Sequence, residues 1–82
     1  MLGDIELARH LVRVDFRCAR ELQDTLQLLQ RHLPIQAFEA YANGIAVAIA
    51  SIGGALSNRA IAEYPELENE IDASVVKYDR YL

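Results

Sequence analysis

The chain has one cysteine, Cys18, no tryptophan, two prolines and a single lysine, Lys77. One cysteine excludes a disulfide within the chain and suits a reducing compartment. Two prolines leave only Pro34 and Pro65 as strong breaks, since proline fits the first turn of a helix and disfavours helix in the residue before it. No stretch alternates with the period of a strand, and neither a low-complexity linker nor an internal repeat is present. Cationic charge is scarce: eight basic residues face twelve acidic ones, for a net charge of −4. An acidic chain of this kind is not the usual nucleic-acid binder.

The chemistry-bearing patterns are as sparse. Gly53-Gly54 lacks the following Lys-Ser/Thr that a phosphate loop needs and is expected to permit close packing or a kink, and no nucleophile elbow or His-Glu-x-x-His pattern occurs. Glu6 and His10 share a helix face, but two ligands make an incomplete metal site. Cys18 falls on an apolar face and reads as a small core residue. No catalytic, cofactor or metal residue is assigned, and an enzyme is not expected. The opening residues Met1–Glu6 are acidic and lack the basic-then-apolar profile of a signal peptide, so the cytoplasm is the expected compartment.

What is present is helical periodicity. The 82 residues predict a single all-α domain of three helices, at about 4–32, 35–63 and 66–81, with the first two forming an antiparallel hairpin and the third a short addition. On helix 1, Ile5, Ala8, Val12, Ala19, Leu22, Leu26, Leu29 and Leu33 recur at steps of three and four, with Leu11, Val14, Cys18 and Leu28 beside them. Together they cover an arc of roughly 200°, wider than an ordinary surface helix shows. Asp15 falls near the middle of that arc. A buried carboxylate is unfavourable unless paired, so a group of helix 2 or helix 3, such as Tyr41, Tyr78 or Arg59, is expected to satisfy it.

The opposite side of helix 1 carries Arg9, Arg13, Arg17, Arg20 and Arg31 within about 80° of arc. This stripe is a candidate partner surface, on which Glu6–Arg9 and Arg20–Asp24 are expected to neutralise one another in part. An acidic protein suits it better than RNA or DNA, given the net charge and the lack of interleaved aromatics.

Helix 2 is apolar almost all round. Phe38, Ile45, Ile49, Ile52 and Leu56 form a bulky ridge. A separate face is made of small residues: Ala37, Ala40, Gly44, Ala48, Ser51, Ala55 and Ala62. Such a helix belongs at the centre of an assembly or in a membrane. Residues 40–58 are uncharged, close to a bilayer-spanning length, but the dominance of Ala and Gly and the lack of flanking basic residues argue against a span. Small side chains let two backbones approach closely, and a monomer of this size has a marginal core. The small face is therefore expected to pair with its own copy, making a homodimeric helical bundle, rather than to be covered by helix 3. Helix 3 places its acids early, its bases late, and its apolar face at Leu67, Ile71, Val75 or Ser74, Tyr78 and Leu82. The expected function is a non-enzymatic protein–protein interaction module in an adaptor, chaperone, immunity or regulatory role. The alternatives are an RNA- or DNA-binding hairpin using the arginines, and a small ligand- or metal-binding bundle.

Overall fold

A computed structural model describes residues 3–81, and these are helical without a strand among them. Helix α1 spans Ile5–His32. Asp4 starts it: its backbone is extended and its Oδ1 accepts a hydrogen bond from the Leu7 N–H at 2.9 Å, satisfying one of the donors that a helix leaves open at its first turn. Glu6 in the first turn and Arg31 and His32 in the last complement the helix dipole. Leu33, extended because a proline follows it, ends the helix. Pro34 then caps α2, Ile35–Ala55, and its carbonyl accepts from the Phe38 N–H at 3.0 Å.

The second helical stretch runs on to Glu63 but bends at Leu56, whose backbone (φ −112°, ψ −72°) leaves helical geometry. The bend separates α2 from α3, Ser57–Glu63. It falls after Gly53-Gly54, where the sequence suggested a kink, but both glycines remain helical within α2. At the bend, Ser57 turns inward and its hydroxyl donates to the Asp15 carboxylate. Helix ends at glycine- and serine-rich positions bend readily. Tyr64, before Pro65, closes α3, and α4 follows at Leu67–Tyr78. It stops short of the expected 81. Asp79 takes the left-handed conformation (φ 60°) as its C-cap, which Asp tolerates better than most residues. The chain therefore reverses, and Tyr81 packs back on α1.

The two-residue connection at Leu33-Pro34 and the contact of Asp15 with Ser57 make α1 and α2 antiparallel neighbours. The core does not lie between them. It sits at one end, where Ala8 and Val12 of α1, Ala60 of α3 and Leu67 of α4 are fully buried and Tyr81 nearly so, with Ile5, Phe16, Ile61, Tyr64 and Ile71 packed around. Of the predicted apolar face on the last helix, Leu67 is buried and Ile71 and Ser74 are half-buried. Val75 and Tyr78 are exposed, and Leu82 lies outside the described residues. Tyr81 replaces them in the core because the Asp79 turn swings it inward.

Candidate functional site

Two surfaces follow from this arrangement. The first is α2. Its ridge of Phe38, Ile45, Ile49 and Ile52 is half-buried, as expected of the side that meets α1, yet no residue of α2 is buried. Of the small face, Ala37 and Ala48 are half-buried, while Ala40, Gly44, Ser51, Ala55 and Ala62 are exposed. A Cβ built on Gly44 would meet nothing within 4 Å, so no described element lies over it. α4 packs on α3 and leaves this face bare. On either side of it Tyr41 and Val47 are 58 and 66% exposed. By length and composition, Ile35–Glu63 is apolar enough to cross a membrane.

The shape of the chain registers the same exposure. Its radius of gyration is 14.8 Å, against about 12 Å for a compact chain of this length. Its accessible surface is 5838 Å², where a folded monomer of 9.2 kDa would show about 4,900 Å².

The second surface is the arginine stripe, which the fold divides. Arg9 is engaged: its Nε and Nη2 donate to the two Glu70 oxygens at 3.0 and 2.8 Å, and it also pairs with Glu6. This paired fork pushes the Arg9 pKa up and holds the Glu70 carboxyl below its ordinary range, with a smaller downward contribution from the hydrogen bond donated by Tyr81. Burial, followed by that same hydrogen bond, raises the Tyr81 phenol. The expected Glu6–Arg9 pair is thus present, but Glu70 from α4 was not foreseen, since 61 residues separate it from Arg9. The expected Arg20–Asp24 pair does not form among the described residues. Arg20 instead reaches the Asp79 carbonyl at 3.4 Å.

Arg13 lies over the Tyr81 ring, 5.3 Å from its centroid. Arg17 is exposed, and Arg31 stands at the far end of α1. Three members of the stripe, Arg13, Arg17 and Arg20, line a groove of about 650 Å³ together with Phe16, Arg80 and Tyr81. Sequence reasoning missed Phe16, which falls on the helical wheel at the border of the apolar arc and the arginines. It also missed Tyr81 and Arg80, whose placement depends on the Asp79 turn.

Asp15 is buried, 8% exposed, as its position on the wheel suggested. Its partner is Ser57, not Tyr41, Tyr78 or Arg59. The small α2 surface at Gly53 admits the carboxylate: a Cβ there would stand 3.9 Å from Oδ2. No buried side-chain polar atom lacks a partner among the described residues. Glu6 is committed to Arg9, and no group of three or more metal-ligating side chains is found among the described residues. Cys18 is half-buried and free.

These features define an all-helical chain with a small one-ended core and a long uncovered apolar helix. Comparison with family models, curated proteins and solved structures gives no match.

Proposed function

We propose that the chain is a non-enzymatic interaction module that works as a homodimer, pairing through the small face of α2. The observation that carries this reading is a 21-residue apolar helix without one buried residue. The small face carries no charge and gains little from facing water, and its small side chains admit a second backbone at close range. Ala37, Gly44 and Ser51 are seven apart, as are Ala48 and Ala55, so two rows run side by side as in a heptad seam. A two-fold axis lets this face meet its own copy. Two hairpins joined in this way form a four-helix bundle, with α3 and α4 of each chain at its ends. The biological role is that of an adaptor, chaperone, immunity or regulatory protein, in which the paired hairpins form the scaffold.

Sedimentation of the wild-type chain is expected to show a dimer at micromolar concentration. Ala48→Phe, at the centre of the face, is expected to give monomer or unfolded chain, whereas Glu39→Gln on the wet side leaves the dimer intact. Monomer alone in the wild type refutes the proposal. Partition of the wild type into neutral lipid vesicles in place of dimerisation would assign the α2 face to a bilayer.

A further inference from the structure

We infer that the groove between α1 and the turn after α4 binds a small organic phosphate, a phosphate monoester carrying an apolar or aromatic group. The inference is independent of dimerisation, because no residue of α2 lines the groove.

The electrostatic argument begins with concentration of charge. The chain as a whole carries −4, yet this groove gathers Arg13, Arg17, Arg20 and Arg80 against one carboxylate, Asp79. Two of these cations are placed by the fold, Arg13 and Arg20, the latter reaching the Asp79 carbonyl at 3.4 Å. Arg13 is held over the Tyr81 ring, and Tyr81 is itself fixed by burial, by the tilted Phe16 ring at 6.2 Å and by its hydroxyl donating to Glu70 at 3.1 Å. The backbone of Arg80 is fixed by the Ser74 hydroxyl, which donates to its carbonyl at 2.7 Å. Arg17 and Arg20 stand on successive turns of α1, about 4.5 Å apart along the axis. Guanidinium forks at that spacing can converge on one tetrahedral anion, and their planar donors match phosphate oxygens. A phosphate monoester carries about −1.5 to −2 at neutral pH, enough to offset half or more of the surplus.

Size and lining then select the rest of the ligand. A volume of about 650 Å³ falls in the range of small-molecule sites, roughly 300–1,000 Å³. Half-buried Phe16 gives the groove an apolar wall. A longer polyanion is disfavoured on both counts. Tyr81 is buried beneath Arg13 and offers no free ring face for a base, although single-strand binders rely on such stacking. The α4 helix leading into the groove also carries Glu68, Glu70 and Asp72, and Glu21 and Asp24 follow Arg20 on α1. A strand extending past the groove along α1 would meet Asp24, one residue beyond the groove-lining Gln23.

The test is titration of the full chain with phenyl phosphate, inorganic phosphate and phenol, read from the ring-proton resonances of Phe16 and Tyr81. Saturable binding of phenyl phosphate, tighter than inorganic phosphate and absent for phenol, is expected. Arg17→Gln with Arg20→Gln should weaken it about tenfold or more, while Arg31→Gln at the far end of α1 leaves it unchanged. Circular dichroism checks the fold of each variant. The single Arg17→Gln variant, at an exposed position, serves should the double variant unfold. Failure of phenyl phosphate to saturate, or equal weakening by Arg31→Gln, overturns the inference. So does tight binding of a short single-stranded oligonucleotide without binding of phenyl phosphate, which would make the groove a nucleic-acid surface.

Discussion

Where α1, α3 and α4 meet, Ala8, Val12, Ala60 and Leu67 are wholly withdrawn from water. Along the hairpin made by the second half of α1 and by α2, no described side chain reaches that state. The hairpin nevertheless holds the more apolar sequence of the two. Burial here follows from the number of neighbours, not from hydrophobicity. At the core end three helices and the returning Tyr81 converge, so even alanine is enclosed. Along the hairpin each helix has one neighbour, and one neighbour can cover only part of an apolar arc of about 200°. A two-helix hairpin is thus half of a bundle, and its open side is where the proposed pairing acts.

Mutations can test that contrast. The largest effect is expected at the core end. Leu67→Ala removes a fully buried side chain and should destabilise the chain by about 2–5 kcal/mol, independently of protein concentration. Ile45→Ala, at a half-buried position on the ridge that meets α1, should cost less than half as much, at high and low protein concentration alike. Denaturant melts of both variants at two concentrations measure this. Equal losses in dilute protein would erase the distinction between the two regions.

Asp15 joins the regions, linking α1 to the bend that ends α2. Asp15→Ala leaves the Ser57 hydroxyl without its partner and is expected to destabilise by about 1–3 kcal/mol. Asp15→Leu should be close to neutral, since the serine hydroxyl can turn back to a carbonyl of its own helix. Chemical denaturation of the pair separates the two cases. A large loss in the leucine variant would show that the carboxylate, and not merely its volume, holds the bend.

The smallest effect is electrostatic. Glu70 has its pKa lowered mainly by Arg9, so it favours the folded state above its unfolded pKa. That contribution disappears as pH falls through its depressed folded value. Tyr81 has its pKa raised mainly by burial. Its contribution is complete below about 10 and is lost as pH rises beyond that. Thermal melts across pH should therefore show a shallow decline at each extreme. Glu70→Gln should flatten the acid side and soften the alkaline side less, because burial is the main cause of the Tyr81 shift, and an unchanged acid limb would rule out the Arg9–Glu70 pair as its source.

The sequence by itself determined the helices, their main breaks and their faces. Asp4 with its capping oxygen, and the residues preceding Pro34 and Pro65, act through local sterics and hydrogen bonds that do not depend on the rest of the fold. The three-and-four spacing likewise placed Asp15 on the inner side of α1. Only the tertiary structure decided which faces are covered. Gly53-Gly54 suggested a kink, but the bend lies at Leu56, beside the Ser57–Asp15 contact that spans 42 residues. The last helix ends early because Asp79 adopts a left-handed turn. That turn puts Tyr81 into the core, sets Arg80 beside the α1 arginines, and makes a groove from residues that no periodicity connects. Arg9 left the stripe for Glu70 through the same docking of α4. Such pairings depend on where separate helices come to rest, and that is settled by the packing of the whole chain, which no local pattern encodes.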